Sequence, residues 1–142
     1  MLITAALGLV FAVLQILALE RRPARFSVAA LLLYGTSAVL FWWAVSATRG
    51  KLAACGQRVV SAAIVETGPY RYIRHPFYTS YNLTWVAGFV ASGWWPLALG
   101  SLIMAAVYQR AAHEEESLFL ASPLAGQYRD YKRRTGRYLP FI

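Results

Sequence analysis

The chain keeps its charges out of its apolar residues, and this segregation into long blocks narrows the possible folds more than any motif does. Leu2 to Leu19 runs eighteen residues interrupted only by Thr4, Gly8 and Gln15. Phe26 to Ala47 adds twenty-two residues without a charge. Phe77 to Tyr108 is apolar again, broken by Gly93-Trp94-Trp95-Pro96. A helix crosses a bilayer in roughly 17–25 apolar residues, so the first two blocks each predict a span. The third predicts a helical hairpin, with Pro76 opening one arm and Pro96 the other. Only 14% of the residues are charged, against roughly 25% in soluble domains. The expected fold is therefore all-α and polytopic, with about four transmembrane helices.

Charge placement sets the orientation. Glu20-Arg21-Arg22-Pro23-Ala24-Arg25 forms a short turn with three positive residues. The 48–76 loop and the tail together carry eleven. Cytoplasmic segments are enriched in Lys and Arg, so both termini and the 48–76 loop are expected on the cytoplasmic side of an integral membrane protein. The first block has no positive residue before it and is longer than the core of a secretory signal, which reads as a retained span. A net charge of +8 would suggest nucleic acid in a soluble chain, but here the basic residues lie between and after the apolar blocks, as membrane topology requires. Lys132, Arg133, Arg134 and Arg137 are expected at the membrane surface, as a plain topological anchor or against anionic headgroups. The lone Cys55 excludes an internal disulfide, and two distant His with one Cys match no metal-ligand spacing.

Chemistry concentrates at two places. Gly68-Pro69-Tyr70-Arg71-Tyr72-Ile73-Arg74-His75-Pro76-Phe77-Tyr78 crowds restricted, aromatic and basic residues into eleven positions. The residue before a proline is driven from helical geometry and proline suits the first helical turn, so His75 is a cap position. A helix start with Arg71 or Arg74 beside it suits a carboxylate or phosphate; the equal alternative is a helix end that faces lipid headgroups. Glu114-Glu115-Glu116 is the second place. Successive helical residues point about 100° apart, so at least one carboxylate faces solvent and one the protein. An inward carboxylate could take a ligand's ammonium or hydroxyls; the alternative is pairing with Arg71, Arg74, Arg110 or His113. In a hairpin the two places become neighbours, as the halves of one site. The same loop and the C-terminal helices after Pro123, expected around Gln127 to Arg134 with Tyr128 and Tyr131 on one face, would form that site.

These residues resemble the C-terminal half of isoprenylcysteine carboxyl methyltransferases. The resemblance rests on Gly68-Pro69-Tyr70, Arg74-His75-Pro76-Phe77-Tyr78, Glu115-Glu116-Ser117-Leu118, Tyr128-Arg129-Asp130-Tyr131-Lys132 and Leu139-Pro140-Phe141-Ile142. Phospholipid methyltransferases share the looser Arg-His-Pro and Glu-Glu pattern. The resemblance implies one integral-membrane methyltransferase domain over residues 1–142, with two N-terminal spans in 1–47 and a cofactor-binding catalytic core in 58–142. It implies S-adenosylmethionine as cofactor, contacted by Ala63, Ile64, Val65, Tyr70, His75, Pro76, Phe77, Tyr78 and Glu115, and Arg110 as a substrate contact. Ser80 stands where the family has Gly, and the turn Ser122-Pro123-Leu124-Ala125-Gly126 is one residue longer, which leaves the choice among Glu114, Glu115 and Glu116 open.

Transfer of a methyl from a sulfonium is an in-line displacement, which needs alignment and exclusion of water. A carboxylate acceptor needs an orienting Arg; an amine acceptor must lose a proton, to which Glu116 or His113 could contribute. Arg74 and Glu116 are the candidate catalytic residues. The expected activity is methyl transfer to a lipophilic acceptor from the membrane, most like O-methylation of isoprenylcysteine, with phospholipid N-methylation as the alternative. A sterol-reductase-like enzyme using NADPH and a non-catalytic membrane interaction protein are the rivals from other classes. Neither nucleic acid nor a metal is an expected partner.

Overall fold

A computed structural model describes residues 9–10, 12–17, 28–48 and 64–140. Among these the regular elements are all helical. The elements are α1 (Val28–Thr48), a 3₁₀ turn (Gly68–Arg71), α2 (Pro76–Ser92), α3 (Trp95–Leu120) and α4 (Ala125–Arg134). Residues 9–10 and 12–17 are also helical. No strand occurs among the described residues, and one isolated parallel bridge joins Ile73 to Gly136. The remainder of the first expected span, Ala63 and the start of the apolar piece from Val59 lie outside the described residues.

Local chemistry explains the helix limits. Pro76 is the first residue of α2, where its missing N–H costs nothing, and the His75 carbonyl accepts the Thr79 N–H at 3.0 Å. That places His75 at the cap position expected for it. Gly93 ends the helix with φ +62, and its N–H closes onto the Phe89 carbonyl at 2.8 Å. α3 carries Pro96 in its first turn and continues unbroken through the three glutamates to Leu120. α4 starts at Ala125, two residues before the expected Gln127. Among the described residues, α1 is the helix long and apolar enough to cross a membrane. α2 and α3 form at the expected places, with 17 and 26 residues.

The chain divides into two compact units, and α1, α2 and α3 each contribute to both. The first comprises Met1–Ala38 and Ser80–Arg110. Its interior is small and apolar, with Ala30, Ala87, Ala91, Leu97 and Met104 buried. Polar links tie it together: Ser37 Oγ donates to the Ser80 carbonyl at 2.7 Å and shares a hydrogen bond with Thr84 Oγ1 at 2.7 Å. Trp85 Nε1 donates to the Tyr108 hydroxyl at 3.2 Å. Side-chain bonds of this kind hold helices together where the surroundings supply no water. Leu31, Leu32, Leu99 and Leu102 face outward.

The second unit comprises Val39–Thr79 and Ala111–Ile142. Ile64, Tyr128 and Tyr131 form its buried cluster, with Phe119, Leu120 and Leu124 packed on it. The Phe119 and Tyr128 rings stack at 4.9 Å. Gly68 starts the 3₁₀ turn with φ +61, and a Cβ there would sit 2.7 Å from Ala47 Cβ and 3.3 Å from Trp43 Nε1. Gly68→Ala is therefore expected to cost on the order of 2 kcal/mol or more. About 1–2 kcal/mol comes from the left-handed backbone and about 1–3 kcal/mol from overpacking. Gly93→Ala has the same φ but nothing within 4 Å of its Cβ, so it carries only the first cost. Denaturant unfolding of the two variants in one detergent compares them directly, and equal losses would contradict the packing argument.

Candidate active site

The second unit assembles its site by pairing two segments far apart in sequence. Residues 72–75 run beside residues 135–138. Gly136 N–H donates to the Tyr72 carbonyl at 3.1 Å, Arg74 N–H to the Gly136 carbonyl at 2.9 Å, and His75 N–H to the Arg137 carbonyl at 3.1 Å. Thr79 Oγ1 adds a bond to the Tyr138 carbonyl at 3.1 Å. Arg74 donates to the Thr135 and Lys132 carbonyls. The tail after α4 is thus a strap laid along the loop that carries His75.

Glu116 lies at the centre, with 2% of its surface exposed. Arg74 Nε reaches it at 3.1 Å, Lys132 Nζ at 3.0 Å, Arg137 Nη2 at 2.9 Å and His75 Nε2 at 3.3 Å. Arg137 Nε supplies a second bond at 3.1 Å, which makes this pair bidentate. Burial alone pushes a carboxyl pKa up. Here the hydrogen bonds from His75, Arg137, Lys132 and Arg74 outweigh it and hold Glu116 well below the usual carboxylate range. The same bonds raise the Arg137 guanidinium. Glu116 is a fixed anion.

Its neighbour Glu115 is placed differently. The side chain is half exposed, with His75 Nδ1 at 3.6 Å from its Oε2. The Tyr78 hydroxyl donates to its Oε1 at 2.6 Å. His75 therefore has a carboxylate at each ring nitrogen. The imidazole also stacks on Tyr78 at 5.5 Å with planes 16° apart, and Tyr138 approaches at 6.1 Å. Its position is fixed from four sides. Glu114 and His113, in contrast, are exposed on α3.

The residues expected at the site are largely gathered in this unit. Arg74, His75, Tyr78, Glu115 and Glu116 contact one another as described. Pro76 is fully buried, and Phe77 packs edge-on against Phe41 at 5.5 Å. The Tyr70 carbonyl accepts the Tyr131 hydroxyl at 2.8 Å; burial raises the pKa of that hydroxyl, so it stays a donor. Ile64 is buried in the aromatic cluster and Val65 is half-buried beside it in sequence. Arg110 belongs to the first unit and is exposed on α3.

Four residues escaped the sequence reading. Lys132 and Arg137, expected at the membrane surface, turn inward to Glu116 instead. Arg134 pairs with Glu66 at 3.0 Å, while Arg133 stays exposed beside Asp130 at 3.8 Å. α4 packs Tyr128 and Tyr131 inward, which brings Lys132 to the inner edge, and the strap delivers Arg137. Tyr138 and Glu66 had no signal beyond their nearness to the motifs. No group of three His, Cys, Asp or Glu side chains converges among the described residues.

Comparison with known proteins gives one match. The model of a family described as phospholipid methyltransferase covers residues 26–123, well over half the chain. No curated protein and no solved structure matches it significantly.

Proposed function

The chain belongs to the phospholipid methyltransferase family, and from that premise we propose that it transfers a methyl group from S-adenosylmethionine to a lipophilic acceptor, with the amine of a phospholipid as the first candidate. Family membership supports a membrane methyltransferase in general. Cofactor, acceptor and residue roles are the proposal. Its strongest support is Glu115, a half-exposed carboxylate oriented by the Tyr78 hydroxyl and His75.

This donor set suits the cofactor. Glu115 can accept hydrogen bonds from ribose hydroxyls or pair with an ammonium, and Tyr78 offers an aromatic face. Ile64, Val65, Tyr70, Pro76 and Phe77 supply apolar walls around the same loop. When bound, the cofactor supplies a methyl already activated by its sulfonium charge. Work left to the protein is alignment and exclusion of water. We assign Arg74 and Glu116 to holding His75 in place, since Arg74 spends its donors on Glu116 and on backbone carbonyls. A carboxylate held by four donors is a weak base, so Glu115 is the one placed to take a proton from an amine.

Four spans, both termini and the site on the cytoplasmic face belong to the same proposal; α1 supports the membrane part of it. O-methylation of an isoprenylcysteine carboxylate is the second reading. The Tyr-Arg-Asp-Tyr-Lys and Leu-Pro-Phe-Ile segments, which lie beyond residue 123, favour it, with Arg110 as the acceptor contact. Labelled methyl transfer by the purified protein, offered phosphatidylethanolamine and a prenylcysteine analogue separately, decides between them. Label on phosphatidylethanolamine alone is expected; label on neither acceptor would defeat both.

A further inference from the structure

The Gly68–Tyr78 stretch has two arginines, and the structure sends them to different places. Arg74 is consumed by Glu116 and two carbonyls. Arg71, the last residue of the 3₁₀ turn, instead lines an open cleft of about 270 Å³ with Glu66, Tyr131, Arg134 and Thr135. Among the described residues, no hydrogen bond or ion pair engages its guanidinium. A second guanidinium, Arg134, enters the same cleft and is paired there with Glu66 at 3.0 Å. Both partners of that pair are solvent-accessible, with side-chain exposures of 63% and 31%, and exposed pairs of this kind exchange readily.

Two guanidiniums in one cleft present the planar donor forks that match phosphate oxygens. The cleft is polar and open, as a headgroup requires when the rest of the lipid remains outside. Its Thr135 wall also carries the carbonyl that accepts from Arg74, so it lies next to the Glu116 cluster within one unit. We propose that this cleft holds the phosphate of the phospholipid acceptor, on Arg71 and Arg134, with Glu66 keeping Arg134 in place until the phosphate displaces it. The proposal rests on the phospholipid reading above and names the part of the acceptor that is recognised.

The test is binding without chemistry. Dihexanoylphosphatidylethanolamine, below its micellar concentration, is titrated into the full-length protein in detergent with no cofactor present. Wild type is expected to bind, Arg71→Gln to bind at least tenfold more weakly, and Glu66→Gln, which removes the competing carboxylate, more tightly. S-Adenosylhomocysteine should bind all three proteins equally. Arg71 has no side-chain partner among the described residues, so its variant should unfold at the wild-type temperature. Should it fail to fold, Arg134→Gln with Glu66→Gln decides the same question. Unchanged lipid affinity in Arg71→Gln overturns the proposal. Parallel loss of S-adenosylhomocysteine binding overturns it too, because the cleft would then serve the cofactor. Inorganic phosphate competing as strongly as the lipid would assign the cleft to a soluble anion and overturn the headgroup assignment. A protein that binds the lipid as expected yet transfers no methyl would sink the proposed activity and leave the subsite standing.

Discussion

Glu116→Ala is expected to lower the unfolding free energy by about 3–5 kcal/mol, the cost of removing one partner from a buried ionic cluster. The substitution leaves Arg74, Arg137 and Lys132 converging on a void, with side-chain exposures of 8%, 23% and 40%. Three like charges then repel one another where one carboxylate had joined them. The strap loses its anchor at Arg137, and with it the arrangement of His75. Glu116→Gln keeps the shape and the hydrogen-bond acceptor and should lose less.

The pH dependence of that loss has a definite sign. Glu116 has a folded pKa depressed below its unfolded value near 4.5. Its contribution is therefore complete above about pH 4.5 and disappears as pH falls through the folded value. The stability gap between wild type and Glu116→Gln should be constant from neutral pH to about 5 and shrink with further acidification. A gap that widens in acid would show that another group controls the cluster. Denaturant titration of both proteins across that range measures it.

His75→Ala has the other large effect, on activity rather than on folding. The imidazole is the shared neighbour of Glu115 and Glu116, and it stacks on the ring whose hydroxyl orients Glu115. Without it Glu116 keeps three cationic partners, so the cluster persists. Glu115 loses one of its two orienting contacts, and Tyr78 loses the ring on its face. Methyl transfer is expected to fall about a hundredfold or more, roughly 2.8 kcal/mol of lost interaction, with an unfolding midpoint much closer to wild type than that of Glu116→Ala. Comparing the two variants by rate and by midpoint separates the residue that holds the site from the one the site is built around. If His75→Ala were fully active, the imidazole would have only a structural role.

The helix limits were legible in the sequence because prolines and glycines mark them. Pro76 opens α2, Gly93 turns the hairpin, and α3 ends at Leu120, shortly before Pro123. The splitting of the three glutamates into exposed, half-exposed and buried was legible as a necessity of helical geometry, though not as an assignment. Which one turns inward depends on the rotation of α3 about its axis, and tertiary packing sets that rotation. Lys132 and Arg137 were misplaced for a related reason. A basic run at a membrane boundary has the same composition whether it faces headgroups or a buried acid. The deciding contact is the pairing of residues 72–75 with 135–138, across more than sixty positions, and it has no local signature. Arg71 and Arg74 look interchangeable as two arginines of one motif; only the geometry separates the consumed one from the available one.

If the second unit holds S-adenosylmethionine as proposed, titration calorimetry with S-adenosylhomocysteine in detergent shows it most directly. One molecule bound per wild-type chain, with the heat lost in Glu115→Ala while the fold is retained, is the predicted result. A folded wild-type protein that gives no binding heat at any temperature tried would contradict it.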